Sequence, residues 1–195
     1  LFTIVLFGFS VASLQAEQPK PLAPTQEQSK STIEVIQQLN GNHFRTLTID
    51  DQLSSRFFDE YIKSLDPSRY FFLESDIQEF KKFRINFDDD FKKGKLENAF
   101  IIFNRFNQRQ TAQLEKVIAN LAPNVPYNFE TEETINTDRE NAPWPTTVKE
   151  ADIIWQQYIK LNLLNSMLNG KSLEDSKKNI RKRYVNQLRR NSRID

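Results

Sequence analysis

The sequence contains no cysteine, only one histidine and only four glycines. Without cysteine the chain has no disulfide, no thiolate nucleophile and no cysteine-based zinc or iron–sulfur site. The glycines at 8, 41, 94 and 170 lie too far apart to form a phosphate-binding loop. With a single histidine, the paired-histidine zinc motifs are absent too. These scarcities exclude much cofactor and metal chemistry, and we expect neither a cofactor nor a metal.

The sequence also lacks an excess of charge of either sign. Its 27 basic and 26 acidic residues give a net charge of +1, so nothing drives the whole chain toward nucleic acid. Apolar residues make up 38% of the chain, which is typical of a folded protein, and the scarcity of glycine favours helices over strands. The sixteen phenylalanines predict an aromatic core in preference to a ligand cage.

One long apolar run is present, at residues 1–16, with small residues near its end. This pattern is typical of a secretory signal peptide, here truncated because the initiator methionine and a basic start are lacking. A membrane anchor is the alternative, but the run is shorter than the ~20 apolar residues that span a bilayer. We therefore expect export to the periplasm, followed by a flexible, proline-containing lead-in at residues 17–30.

Apolar residues at three- and four-residue steps predict about six amphipathic helices and an all-α fold, without competing strand patterns. The predicted helices cover about residues 31–41, 49–65, 75–94, 96–121, 147–170 and 173 onward. Capping-box spacings mark three of the starts, at Ser31, Ser75 and Thr147. In the fifth helix the residues predicted to face inward are Ile154, Trp155, Tyr158, Leu161 and Leu168.

Between Pro123 and Thr146 the helical periodicity is lost, and four prolines occur with five acidic residues. Connections of this length in compact domains are usually functional or disordered. Trp144 between Pro143 and Pro145 forms a stiff aromatic projection that can anchor the connection onto the helices. Asp138 and Arg139 can fasten its backbone by hydrogen bonds.

Candidate catalytic and binding groups are weak in the sequence. His43 lies in a connection with no motif around it, and it reads as an ordinary histidine. Every lysine lies on a polar helix face or in a charged run, which argues against the desolvated lysine of a Ser–Lys dyad. Asp88, Asp89 and Asp90 point around a helix axis and form a solvated face rather than a metal site.

The segment 171–195 carries nine basic and three acidic residues. A helix that binds nucleic acid or anionic lipid is one interpretation of such a segment. A solvated or domain-contacting surface is favoured, because the basic residues surround the helix between apolar positions.

Three segments in the same order resemble the N-terminal domain of the tail-specific, or carboxyl-terminal-processing, serine proteases. They are LDPSRYFFLESDI (65–77), TDRENAPWP (137–145) and NGKSLEDSKKNIRKRY (169–184), and the likeness extends over residues 30–193. The combination of an aromatic turn, an Ala-Pro-Trp-Pro loop and a Gly-Lys before a basic helix is specific. The domain organisation predicted is signal peptide 1–16, lead-in 17–30 and helical N-terminal domain 31–195.

The resemblance implies a periplasmic serine endopeptidase that recognises apolar C-terminal tails with a PDZ domain and cleaves with a Ser–Lys dyad. Both modules would lie outside these residues, so no catalytic residue is assigned in this chain. The implied partners are the protein's own PDZ and protease domains and unfolded proteins with apolar C-termini, not nucleic acid. Peripheral association with the inner membrane stays open. We expect this part to be a helical platform; the alternative is a stand-alone periplasmic helical adaptor or chaperone.

Overall fold

The computed structural model describes residues 19–42 and 48–191, and over these ranges the fold is all-α. Seven α-helices and one short 3₁₀ segment are present there, with no β-strand. The α-helices are α1 (Gln26–Asn42), α2 (Asp51–Leu65), α3 (Glu74–Phe80), α4 (Phe87–Lys92), α5 (Glu97–Asn120), α6 (Val148–Leu168) and α7 (Leu173–Asn191). The predicted all-α class is thus confirmed. The predicted signal peptide and His43 lie outside the described residues.

The third predicted helix is in fact two helices. The chain leaves α3 through the 3₁₀ segment Lys81–Phe83 and enters α4 only at Phe87. Ser54 fixes this break, because its hydroxyl donates to the Arg84 carbonyl at 2.8 Å and accepts from the Phe87 amide at 2.9 Å. The apolar residues of this segment repeat at helical steps without interruption, so the break is not evident from the sequence. Ser54, which makes the contacts at the break, lies on a different helix.

Two of the predicted capping boxes are wrong and the third is partly right. Helix α1 begins at Gln26, inside the predicted lead-in, where Thr25 and Gln28 exchange side-chain-to-amide hydrogen bonds of 2.9 and 3.2 Å. Helix α3 begins at Glu74, ahead of the predicted Ser75 cap. At α6 the Thr147 hydroxyl accepts from the Glu150 amide as predicted. The Glu150 carboxylate accepts from the amide of Thr146, whereas a capping box would use the amide of Thr147.

An aromatic cluster forms the first half of the core. Helices α2, α3, α4 and α5 surround it, and its buried members are Phe58, Ile62, Phe72, Phe80, Phe83, Phe87, Ala99, Ile102 and Phe106. Most ring pairs in it are tilted or edge-to-face, the geometry that aromatic quadrupoles favour. The prediction of an aromatic core is confirmed.

The second half of the core lies between the C-terminal half of α5 and the helices α6 and α7. Its buried members are Leu114, Val117, Leu121, Trp155, Ile159, Leu163, Ile180 and Tyr184. Phe71 packs against both clusters, and the 24-residue helix α5 passes from one to the other. Leu168, predicted to face inward, is 77% exposed because α6 extends beyond the end of this cluster.

Helix α1 packs across α4 at a glycine. Gly94 has a φ of +68°, and a Cβ atom there would lie 2.8 Å from the Ser29 carbonyl and 2.9 Å from Ile33 Cδ1. The predicted role of Gly94 as a helix end is therefore confirmed, and its lack of a side chain also permits the contact with α1. Just before α1, Leu22 exchanges two 2.8 Å hydrogen bonds with the Asn104 amide on α5. Across the described ranges, no helix is both long and apolar enough to span a membrane.

Candidate functional site at the proline-rich connection

The connection between α5 and α6, residues 121–147, docks against the aromatic turn that follows α2. Asp66 organises this turn, because its carboxylate accepts from the amides of Tyr70 (2.8 Å), Phe71 (2.8 Å) and Phe72 (3.0 Å). Burial raises the pKa of the Asp66 carboxyl, while the three amide donors act in the opposite direction. All three amides donate to its two oxygens, so the turn depends on this side chain as its hydrogen-bond acceptor.

A second buried carboxylate, Asp76, fastens the next helix to α5. It is fully buried and accepts from the guanidinium groups of Arg105 and Arg109 and from the Leu73 amide at 3.0 Å. Burial disfavours its charged form, but the Arg109, Leu73 and Arg105 donors outweigh burial and lower the pKa of Asp76 below its ordinary value. Asp66 and Asp76 together hold the segment between α2 and α3 in one conformation.

Trp144 lies against this segment. Its ring lies 6.0 Å from that of Phe72 in an edge-to-face arrangement, and the Arg69 guanidinium lies 5.2 Å from its centroid. The following residue, Pro145, is fully buried, and its carbonyl accepts from the Glu74 amide at 2.9 Å. Pro143 is exposed on the other side of the tryptophan. Amides in the first turn of a helix have no hydrogen-bond acceptor within the helix. The connection supplies one for the first amide of α3.

Two arginines link the connection to the turn in both directions. Arg139 is 8% exposed, donates to the Arg69 carbonyl at 3.3 Å and lies over the Tyr70 ring. In return, the Arg69 guanidinium donates to the Ala142 carbonyl. Asp138 makes only a local 3.4 Å contact with the Glu140 amide and is exposed. Of the predicted pair, Arg139 binds the backbone of the turn, and Asp138 binds the backbone of the connection itself at the Glu140 amide.

The opposite end of the connection is held by Lys177 of α7. Its ammonium donates to the carbonyls of Pro123 (3.0 Å) and Val125 (2.7 Å) and lies over the Tyr127 ring. At 5% exposure it contradicts the prediction that every lysine is solvated. Lys177 follows Leu173 by four residues and precedes Ile180 by three, so helical periodicity placed it inside. Charge alone led the sequence prediction to place it outside.

Two described lysines have uncharged oxygen atoms among their hydrogen-bond partners, and neither has the arrangement of a Ser–Lys dyad. Lys177 donates to carbonyls rather than to a hydroxyl. Lys160 does contact the Thr131 hydroxyl at 3.0 Å, but it also forms an ion pair with Glu133. The hydrogen bonds from Lys160 and Thr131 lower the pKa of Glu133, so its carboxyl group is ionised at neutral pH.

The three consecutive aspartates do not form a uniform solvated face, which corrects the sequence prediction. Asp88 is 6% exposed and pairs with Lys92 at 2.9 Å, while its Oδ1 atom has no partner. Asp89 is exposed, and Asp90 accepts from the Asn98 amide at 2.6 Å. Across residues 19–42 and 48–191, no three histidine or acidic side chains converge as metal ligands.

A large apolar groove lies between α1 and the helices α2, α4 and α5. It encloses about 770 Å³. Its apolar wall residues are Val35, Ile36, Leu39, Ile49, Leu53, Phe57, Phe87, Phe91, Leu96 and Phe100. Phe100 is half-buried and lines this groove.

Comparison with known proteins points to one family. Residues 35–195 match the family described as the tail-specific protease N-terminal domain. Over 169 residues the chain is 30% identical to a tail-specific protease of Haemophilus influenzae, an alignment covering 86% of this chain and 24% of that relative. The chain thus spans about a quarter of the length of the curated relative it matches. With this match extending over most of its length, the chain belongs to the tail-specific protease family, and residues 35–195 form the family's N-terminal domain.

Proposed function

We propose that this chain is a non-catalytic helical platform in a periplasmic tail-specific serine endopeptidase. In this proposal a PDZ domain and a Ser–Lys protease domain follow in the longer protein, and its substrates are unfolded proteins with apolar C-termini. The match to the family's N-terminal domain carries the proposal, because the relative named as a protease is about four times longer than the matched part.

The contacts of the described residues favour a structural role over a catalytic one. The buried polar groups Asp66, Asp76, Arg139 and Lys177 all bind backbone groups or ion-pair partners within the fold. Groups that act on a substrate need an open position, whereas the carboxylates of Asp66 and Asp76 and the ammonium of Lys177 bind partners in the chain itself. Of the Arg139 guanidinium, the buried Nε atom lacks a hydrogen-bond partner among the described residues. We therefore infer that these buried polar groups make the domain rigid.

The periplasmic part of the proposal includes export through a secretory signal. The apolar run at residues 1–16, with small residues near its end, is the pattern that supports it. Cleavage of this run in cells, detected by the N-terminal sequence of the mature protein, tests the assignment.

An exposed apolar strip gives the platform a surface for a neighbouring domain. Leu164 and Leu168 lie one turn apart on α6 and are 39% and 77% exposed. Residues four apart share one helix face, so the two side chains present adjacent apolar area. Interfaces between domains of one chain are built from such patches.

The decisive experiment uses the Haemophilus influenzae relative as the active frame. Its matched N-terminal segment is replaced by residues 35–195 of this chain, and a second version of the chimera carries Leu164→Ser and Leu168→Ser. The measurements are the melting temperature and the cleavage rate of an unfolded reporter ending in an apolar tail. A reporter with a charged tail is the control.

We expect the chimera to cleave the apolar-tailed reporter and the double-serine version to melt at a lower temperature. An N-terminal deletion that kept the relative's melting temperature and cleavage rate would overturn the platform. Cleavage of the reporter by the purified 195-residue chain alone would overturn the non-catalytic assignment. A chain that prevents aggregation of unfolded proteins with no protease attached would favour the adaptor or chaperone alternative.

A further inference from the structure

A second groove runs along α7, away from the docked tryptophan. One wall is a stripe of α7, and the other is the turn that follows α5, with Leu121 at the base. The groove encloses about 1000 Å³. Its α7 wall consists of Leu173, Glu174, Lys177, Lys178, Arg181, Lys182, Val185, Asn186 and Arg189. These positions repeat at three and four residues, so they form one continuous face of the helix.

The charge of this face is strongly unbalanced. Five of its residues are basic and one, Glu174, is acidic. Lys178 and Lys182 are exposed and form no ion pair with any residue that the structure describes. Arg181 donates its Nε to the neutral Ile118 carbonyl at 3.2 Å. A concave surface lined by one sign of charge concentrates its field and attracts the opposite charge.

Lys177 adds a buried positive charge to the same wall. Its described partners are two neutral carbonyls and the face of an aromatic ring, and no described carboxylate lies within ion-pair distance. A cation held in this way is not neutralised inside the fold, so its field acts on the groove above it. The same contacts hold Pro123 and Val125 in place, which makes the opposite wall rigid.

The dimensions of the groove suit an extended polypeptide. From Glu174 to Arg189 the α7 wall extends 15 residues, or about 22 Å at a helical rise of about 1.5 Å per residue. An extended chain advances about 3.3 Å per residue, so the groove accommodates about six or seven residues. Val125 and Val185, which are half-buried, provide apolar surface between the charges, and the buried Leu121 lies beneath them. A matching segment therefore alternates acidic and apolar side chains.

Nucleic acid and membranes match the groove less well. Single-stranded nucleic acid binds by stacking its bases on aromatic side chains, and the groove walls contain no aromatic residue among those the structure describes. A bilayer surface needs a helix that presents its apolar residues outward, whereas here the apolar residues lie at the base of a concave surface. We propose that this groove binds an extended acidic segment of a partner polypeptide whose apolar side chains contact Val125 and Val185.

Fluorescence anisotropy with a labelled peptide tests the proposal. The probe is a seven-residue peptide in which glutamates alternate with valine and leucine, and it is titrated with the 195-residue chain. One control peptide replaces the glutamates by lysine, and another replaces the apolar residues by serine. The groove variant is Lys178→Glu with Lys182→Glu, and the matched control is Lys30→Glu with Lys149→Glu, which changes the net charge equally on exposed residues outside the groove.

We expect saturable binding of the acidic–apolar probe that weakens about tenfold in the groove variant and less than about twofold in the matched control. Circular dichroism must show the same helicity for both variants, because all four lysines are exposed. Binding should also weaken as the salt concentration rises, since the attraction is partly electrostatic.

Three results would overturn the proposal. Equal weakening in both variants would indicate attraction by overall charge rather than by the groove. Equal binding of the serine-substituted peptide would show that the apolar base contributes nothing. Tighter binding to phosphatidylcholine–phosphatidylglycerol vesicles or to a single-stranded oligonucleotide, lost in the groove variant, would reassign the surface to that ligand.

Discussion

Removing the carboxylate of Asp66 tests whether one buried side chain organises the turn on which the connection docks. Asp66→Ala leaves three backbone amides without their acceptor, those of Tyr70, Phe71 and Phe72. Phe72 is fully buried, so water cannot reach its amide, whereas Tyr70 and Phe71 are half-buried and can be rehydrated in part. Asp66→Asn restores an acceptor at only one of the two oxygen positions.

The expected magnitudes follow from these contacts. An unsatisfied buried amide costs about 1–3 kcal/mol, so the Phe72 amide contributes an amount in that range. The two half-buried amides add about 1 kcal/mol each, which brings Asp66→Ala to about 3–5 kcal/mol. Asp66→Asn keeps the two bonds at one oxygen position and loses the one to Tyr70, so we expect about 1–2 kcal/mol.

Urea unfolding followed by tryptophan fluorescence measures the loss. Trp155 reports on the turn directly, because its Nε1 donates to the Tyr70 carbonyl at 2.9 Å. Asp59→Ala is the matched control, since Asp59 is an exposed carboxylate paired with Arg84, and its removal should cost below about 1 kcal/mol. If Asp66→Ala cost no more than Asp59→Ala, the turn would not depend on its carboxylate and the reasoning would be refuted.

Three further predictions concern other contacts of the fold. Because the pKa of Asp76 is lowered on folding, its contribution is complete above the unfolded pKa of about 4 and is lost as the pH falls below it. The difference in unfolding free energy between the native chain and Asp76→Asn should therefore shrink from pH 6 to pH 3, and a constant difference would contradict this. Both Gly94 and Gly170 have positive φ, so an alanine at either should lower the free energy of unfolding by about 1–2 kcal/mol. Gly94→Ala should cost more than Gly170→Ala in urea unfolding, because its Cβ would lie within 3 Å of other atoms and that of Gly170 would not. Trp144→Ala should cost about 2–3 kcal/mol and speed proteolysis of the connection, and unchanged cleavage would show that the tryptophan does not anchor it.

Helix ends could be predicted wherever the ending residue acts locally. Helix α2 ends at Leu65 as predicted, because Asp66–Pro67 stops it, and α5 covers almost the predicted range before Pro123. The break between α3 and α4 could not be predicted, because Ser54 on α2 produces it across the fold. Local signals therefore located most helices, and tertiary contacts decided the remaining boundaries.

The anchor of the connection was predictable only in part. Trp144 and Arg139 were visible because a tryptophan between prolines and a nearby arginine are unusual in a loop. The turn on which they pack could not be predicted, because Asp66, which organises it, lies more than seventy residues earlier. Asp66 is buried, whereas acidic residues are usually expected to be exposed. Lys177 was missed for the same reason, although its position between Leu173 and Ile180 contained the signal.

The two ends of the connection are fastened to different halves of the core. Trp144 packs against the first cluster, and Lys177 of α7 binds the carbonyls of Pro123 and Val125 beside the second. Between these anchors the chain is mostly exposed and acidic. Helix α5 and Phe71 already join the two clusters, so the connection is a second link between them. Movement of one half relative to the other must therefore break contacts at one end of the connection. We infer that this arrangement makes the domain resist bending, which is the property that the proposed platform role requires.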